Sequence, residues 1–97
     1  MRHFHRTTLA PDAALALADK FFPSIGLPRA SAAPRTRGYA GALGALTLRI
    51  RPEGGHATFV EVETDQPGES RLDRNVKRYF VRLRRAAEPG RALEVAY

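Results

Sequence analysis

Hydrophobic and polar positions follow two periods along this chain, a period of two in its middle and a helical period on either side. The period of two covers residues 41–51 and 56–64, and the loop Glu53-Gly54-Gly55 between them predicts a β-hairpin. One face of this hairpin is then apolar and holds Leu46, Leu48, Ile50, Thr58, Val60 and Val62. A register one residue away would separate the two apolar sets, so we expect this pairing.

Two segments have the helical period. Apolar residues recur on one side of a helical wheel over 12–22, with Pro11 in the first turn and Pro23 as the expected end. A longer helix begins after Ser70, which precedes Asp73 by three residues in the manner of a capping box. The apolar stripe of this second helix comprises Leu72, Val76, Tyr79, Phe80, Leu83 and Ala87.

The other segments are shorter or irregular. Residues 2–10 predict a first strand, and residues 37–41 predict a further short strand. The stretch 23–38 is rich in Pro, Ala, Ser and Arg and is predicted to be a long loop within the domain. Residues 92–97 alternate apolar and polar side chains, which leaves a final strand open.

Together these elements predict a single α+β domain over residues 1–97 with the order β-α-(β)-β-β-α, with or without a final β. Each helix has one apolar side and the hairpin has one apolar face. We therefore expect a two-layer sandwich in which two helices cover one face of an antiparallel sheet. With a final strand the order is ferredoxin-like; without it, the order is that of half a helix-grip fold or a TATA-binding-protein-like fold.

Two stretches resemble the START/polyketide-cyclase superfamily, whose members have the helix-grip fold. LAPDAALALADKF is similar to that family's opening helix. LTLRIRPEGGHATFVEVETDQPG, followed by a long helix, is similar to its late strands and closing helix. The resemblance implies a layout of sheet and helices. It carries over no functional residue, because members of that family are longer and close a ligand cavity.

The chain is strongly basic, with 16 lysines and arginines against 10 acidic residues and a net charge of +6. Such a charge favours polyanionic partners, nucleic acid before a membrane surface. Of the 16 cations 14 are arginine, and codon bias in a GC-rich genome would produce the same excess. The chain has no cysteine, which excludes disulfides, thiol catalysis and cysteine zinc sites.

The segment GESRLDRNVKRYFVRLRR, residues 68–85, contains the main candidate site. Five of its arginines, spaced by 3, 4, 4 and 3 residues, fall within about 80° on a helical wheel. They would form a row about 21 Å long. We call this set the arginine ridge: Arg71, Arg74, Arg78, Arg82 and Arg85.

The arginines of the ridge repel one another and have no acidic residue among them, which suggests that the ridge binds an anion. Arginines three or four residues apart on a helix repel each other by a few tenths of a kcal/mol per pair. Asp73 is expected to pair with Lys77 and leave the ridge free. Guanidinium groups bind phosphate through two parallel hydrogen bonds, so we expect contact with a nucleic-acid backbone. A solvated helix face, or salt bridges to another molecule, is the alternative.

The second face of the hairpin supplies three more candidate nucleic-acid-binding residues, Arg49, Arg51 and Phe59. Bases stack on exposed aromatic rings in RNA-binding sheets, and cations beside the ring would hold the backbone. Glu61 and Glu63 lie close enough on this face to pair with the arginines. A dimer interface that covers Phe59 is the alternative.

No residue receives a catalytic, cofactor-binding or metal-binding role. Ser/His/Asp and glycine-rich phosphate motifs are absent in the required context. His3 and His5 share one face of the first strand, a spacing that two metal ligands could use, and a third ligand would have to be His56 or a carboxylate. We therefore expect a protein without catalytic activity and without a cofactor.

The chain shows no targeting or membrane segment. Its first residues lack the apolar core of a secretory signal, and the longest uncharged run, 38–48, is too short to cross a bilayer. The sequence thus predicts a small cytoplasmic binding module for a nucleic-acid backbone, with no membrane partner. The alternative is a homodimer through the open sheet face, or a small-ligand-binding domain of helix-grip type.

Overall fold

A computed structural model describes residues 1–88 and confirms the α+β class. Its elements, in chain order, are β1 (Arg2–Thr7), α1 (Pro11–Ser24), β2 (Arg29–Ala33), β3 (Thr36–Gly41), β4 (Gly44–Glu53), β5 (Ala57–Thr64) and α2 (Arg71–Ala86). The final strand proposed for residues 92–97 lies outside the described residues.

The five strands form one antiparallel sheet in the order β1-β5-β4-β3-β2. The first strand therefore lies beside the last described one, and β1 and β2 are at the two ends of this order. Both helices pack on the same face, α1 over β2, β3 and β4, and α2 over β1 and β5. The predicted antiparallel sheet with two helices is confirmed, and within residues 1–88 no helix covers the opposite face of the sheet.

The hairpin of β4 and β5 has the predicted faces but a different loop. Ile50 lies opposite Val60, whereas the predicted loop would have placed it opposite Thr58. The loop comprises residues 54–56, with His56 in the left-handed region at φ 66°. The strands are thus offset by two residues from the prediction. Because side chains alternate with a period of two, this offset keeps every side chain on its predicted face.

The stretch 23–38 is not one long loop, so that prediction is wrong. It contains β2 and the start of β3, which pair with each other as an edge hairpin. Every residue of β2 is exposed, and its sequence RASAA has no apolar alternation that would indicate a strand. Backbone pairing with β3 makes it a strand, and local sequence does not report such pairing.

Pro23 does not end α1, as had been expected, but lies in its last turn. The helix ends at Ser24, and Gly26 follows with a φ of 86°, a conformation that glycine adopts without strain. A side chain at Gly41, on β3, would collide with the Gly26 carbonyl oxygen. The end of α1 therefore lies directly against the edge of the sheet.

The core lies between the sheet and the two helices and centres on a group of aromatic rings. The ring centroid of Phe22 is 4.9 Å from that of Tyr39 and 5.1 Å from that of Tyr79. Tyr79 donates its hydroxyl to the Ala14 carbonyl at 2.9 Å, and Tyr39 donates to the Asp19 carboxylate at 2.6 Å. Burial and the nearby Asp19 carboxylate raise the pKa of both phenols, which keeps them neutral hydrogen-bond donors.

A buried carboxylate joins α2 to the sheet. Asp73 is fully buried and accepts hydrogen bonds from His3 Nε2 on β1 at 2.7 Å and from Thr64 Oγ1 on β5 at 2.9 Å. Ser70, the N-cap of α2, donates its hydroxyl to the same carboxylate and accepts the Asp73 backbone N–H at 3.1 Å. One side chain thereby fixes the start of α2 against two strands.

The hydrogen bonds also determine the charge of Asp73. Burial works against ionisation and would raise the pKa of this carboxyl. The hydrogen bonds from Ser70, His3 and Thr64 outweigh burial and lower the pKa from 3.8 to about 2. The native state therefore holds Asp73 as a carboxylate.

This depressed pKa predicts a specific loss of stability in acid. The contribution of Asp73 is fully present above its unfolded-state pKa of 3.8 and is lost as the pH falls towards 2. The shift corresponds to about 2 kcal/mol. We expect Asp73→Asn to lower the free energy of unfolding by about 2 kcal/mol near neutral pH. In urea unfolding the difference from wild type should shrink from about pH 4 to about pH 2.

The matched control is Asp12→Asn, which changes an exposed aspartate in the first turn of α1. We expect it to change the free energy of unfolding by no more than about 0.5 kcal/mol. A difference between wild type and Asp73→Asn that stays constant over the acidic range would contradict the stabilising role of the ionised carboxylate.

Candidate nucleic-acid interface

The arginine ridge lies along α2 and faces away from the core. All five of its arginines are exposed. On the other side of the helix, Leu72, Val76, Tyr79 and Leu83 are each 0% exposed. Phe80 and Ala87, the remaining members of the predicted apolar stripe, are half-buried. The apolar stripe thus fixes the rotation of α2 about its axis and turns the ridge outward.

Within residues 1–88, no arginine of the ridge forms a salt bridge. Lys77 pairs with Glu69, Nζ to Oε1 at 3.4 Å, and not with Asp73 as predicted, because Asp73 points inward to the sheet. Two ridge arginines have weaker contacts. Arg78 donates to Asn75 Oδ1 at 3.1 Å, and the guanidinium carbon of Arg82 lies 5.1 Å from the centroid of the Phe21 ring.

The net charge of the protein is concentrated on α2. This helix, RLDRNVKRYFVRLRRA, carries seven basic side chains and a single acidic one, the buried Asp73. Its excess of six positive charges equals the net charge of +6 of the whole chain. The basic and acidic residues of the remaining sequence therefore balance, and α2 is the part that attracts anions over a distance.

A shallow depression of about 300 Å³ opens within the arginine ridge. It is lined by Arg78, Arg82 and Arg85 around Val81. Val81 is half-buried among these side chains. Three guanidinium-bearing side chains thus converge on one place, where an anionic group would meet several donors at once.

Arg49, Arg51 and Phe59 lie on the other side of the molecule, on the sheet face opposite α1 and α2, which we call the open face. Phe59 is only 8% exposed, because other side chains cover its ring. Phe4 stacks on it with centroids 5.5 Å apart, and the guanidinium carbons of Arg51 and Arg6 lie 4.5 and 5.0 Å from its centroid. A nucleic-acid base could reach the Phe59 ring only after these groups had moved.

Three of the four arginines of the open face are paired with glutamates, and Arg51 lies over the Phe59 ring. Arg49 NH1 lies 3.3 Å from Glu61 Oε2 and 3.6 Å from Glu63 Oε1, as the sequence had suggested. Arg2 lies 3.4 Å from Glu63. The eight candidate residues therefore do not form one surface. Of the nine lysines and arginines within residues 1–88 that form no salt bridge, six lie on α2.

Phe4 is the side chain on the open face that sequence reasoning missed. It is 54% exposed and lies over Phe59. The alternation that places His3 and His5 on one face of β1 also places Phe4 on the other, so part of the signal was present. That β1 lies beside β5 could not be inferred from local sequence.

The two histidines of β1 face α2, and each has a partner there. His3 donates to Asp73, and the ring of His5 stacks on Phe80 with centroids 5.0 Å apart. Burial and the nearby Arg84 lower the pKa of His5. Among residues 1–88, no group of three or more His, Cys, Asp or Glu side chains is placed to hold a metal ion.

Neither helix in the described part of the chain is long and apolar enough to cross a membrane. Comparisons with protein-family models, with curated proteins and with solved structures find no match for this chain. The resemblance to the START/polyketide-cyclase superfamily therefore stays a prediction.

Arg82 packs on Phe21, whereas Arg74, Arg78 and Arg85 have no such contact with a ring. Substitutions in the two groups should therefore have opposite effects on the free energy of unfolding. Replacing Arg74, Arg78 and Arg85 with glutamine should leave the free energy of unfolding unchanged or raise it by a few tenths of a kcal/mol, because like-charge repulsion is relieved. Arg82→Gln should lower it by about 0.5–1 kcal/mol, because glutamine cannot replace the cation–π interaction with Phe21. Urea unfolding of both variants would measure these changes. A large loss of stability in the triple variant would show that the ridge is part of the folded core.

Proposed function

We propose that this protein binds the phosphate backbone of nucleic acid through the arginine ridge, with little dependence on base sequence. One observation carries the proposal. The positive charge that the rest of the chain does not balance lies on α2, where the ridge arginines have no ionic partner within residues 1–88. Helices whose arginines serve only solubility usually carry interspersed acids, because like charges repel at this spacing.

The dimensions of the ridge suit a nucleic-acid strand. A row of about 21 Å is long enough for its guanidinium groups to reach several phosphates of a nucleic acid at once. Each can bind a phosphate through two hydrogen bonds, and the depression around Val81 gathers three of them.

The chemistry of the ridge supports backbone binding more than base reading. Phosphate contacts position a protein on nucleic acid but carry no sequence information, whereas bases are read by hydrogen bonds in the grooves or by aromatic stacking. The stacked aromatic pair of the open face, Phe4 and Phe59, lies on the side of the sheet away from the ridge. The ridge alone thus accounts for affinity without specificity.

Salt dependence tests the proposal directly. Binding to phosphates releases counterions, so the affinity for a mixed-sequence duplex should fall steeply between about 50 mM and about 200 mM salt. Replacing Arg74, Arg78 and Arg85 with glutamine should weaken binding and reduce the log–log salt slope by roughly 0.9 for each phosphate that is no longer bound. Fluorescence anisotropy with labelled single and double strands would measure both quantities.

A charge-matched control lies on the open face. Replacing Arg2, Arg6 and Arg49 with glutamine removes the same number of charges from the side away from the ridge. We expect this variant to keep the salt slope of the wild type. Equal losses of affinity in both triple variants would mean that net charge alone drives binding. No binding of the wild type to either form of nucleic acid at about 50 mM salt would refute the proposal.

A further inference from the structure

The open face, on the side of the sheet opposite the helices, carries arginines and glutamates side by side, so its charges largely balance. Its strands β1, β4 and β5 carry four arginines and three glutamates, and Arg35 lies beside them; the seven strand residues are Arg2, Arg6, Arg49, Arg51, Glu53, Glu61 and Glu63. Glutamates pair with three of the four arginines, at distances that include 2.9 Å for Arg6 and Glu53. The two layers of the molecule therefore differ sharply in charge, since α2 alone carries the whole net excess.

The open face also holds an exposed aromatic side chain. Phe4 is 54% exposed, and within residues 1–88 only Met1, at 52%, is another large apolar side chain that is exposed. Phe4 stacks on Phe59, so the two rings form an apolar patch on the β1–β5 side of the open face, next to the arginine–glutamate pairs. Exposed aromatic side chains beside polar ones are common in protein–protein interfaces.

The charge pattern suits a second copy of the same chain better than a polyanion. In a twofold dimer the same face of each copy forms the interface. A face that carries both arginine and glutamate can therefore place the arginines of one copy against the glutamates of the other. A nucleic acid would be repelled by three glutamates, and it would find three of the four arginines already paired with them. The strongly positive α2 layers would lie on the outer sides of such a pair, where their mutual repulsion is smallest.

The size of the open face is also sufficient. Five strands about 4.8 Å apart, with about seven residues each at about 3.3 Å per residue, cover roughly 550 Å². Two such faces in full overlap would bury roughly 1,100 Å² or more, just above the roughly 1,000 Å² that a specific interface needs. An area of this size indicates a weak dimer that depends on concentration.

We infer that two copies of this chain associate face to face through their open faces, with Phe4 of each copy inside the contact on its β1 side. The arginine ridges then point outward on opposite sides of the dimer. The next step rests on the proposed function. Because each arginine ridge binds one nucleic-acid segment, the dimer is bivalent and bridges two segments.

Sedimentation equilibrium of wild type, Phe4→Asp and Val81→Asp tests the association. We expect a monomer–dimer equilibrium for the wild type and at least a roughly tenfold larger dissociation constant for Phe4→Asp, which buries a charge at the contact. Val81→Asp introduces the same charge on the ridge side and should leave the dimer intact. A wild type that stays monomeric at the highest attainable concentration would overturn the inference and leave the ridge proposal standing.

A cross-linking experiment decides the question if Phe4→Asp does not fold. Because the chain has no cysteine, a single introduced thiol is unique. Thr47→Cys lies on β4 of the open face, opposite Glu63, and should be joined into dimers by a short bifunctional maleimide. Asn75→Cys lies on the exposed side of α2 and should not. Cross-linking at Asn75→Cys but not at Thr47→Cys would contradict a face-to-face dimer.

A capture experiment tests whether the dimer bridges two duplexes. The protein is bound to an immobilised duplex, and the retention of a second, labelled duplex is measured. The wild type should retain the labelled duplex, whereas Phe4→Asp should bind a single duplex with unchanged salt slope and fail to retain a second. If Phe4→Asp instead lowers affinity for a single duplex and leaves the oligomeric state unchanged, the open face is itself a nucleic-acid surface and the inference is wrong. If the wild type dimerises but binds no duplex, the ridge proposal fails and the dimer stands.

Discussion

The position of α2 depends on a carboxylate that has no contact with solvent. Asp73 is bound by His3 from the first strand and by Thr64 from the last described strand, while Ser70 closes the start of the helix on it. An ionised group without partners would be costly in the core, so these three donors must be present together. They hold the first turn of α2 across the β1–β5 pair, and together with the buried apolar stripe they determine which side of the helix faces solvent.

The attachment divides the charge of the protein between its two layers. Asp73 is the acid of α2, and it points inward, so the outward surface of the helix is left with cations alone. The acids of the open face meet arginines of the same face, and Asp19 meets Arg37 and Arg29 beside α1. The charges of the sheet face are thus balanced, and in the helix layer the excess of positive charge lies on α2. The arrangement supports binding of a polyanion on one side and of a neutral partner on the other.

Predictions from the sequence agree with the structure where the pattern of side chains decides which helix or strand forms and which side of it is buried. The hairpin faces could be predicted, because Leu48 and Val62 alternate with polar residues, and the ridge could be predicted from the apolar stripe on the other side of α2. Long-range pairing could not be predicted. The strand β2 exists through its backbone pairing with β3, and Phe59 is covered because β1 lies beside β5. These errors share one cause, which is that strand partners are chosen across the fold.

Backbone NMR during a titration with a mixed-sequence duplex tests the central claim most directly. The account predicts that amide resonances of residues 71–85 shift progressively, together with the guanidinium signals of the ridge arginines. Resonances around Phe4 and Phe59 on the open face should not respond to the duplex. Shifts concentrated on the open face, with α2 unaffected, would contradict the assignment of nucleic-acid binding to the arginine ridge.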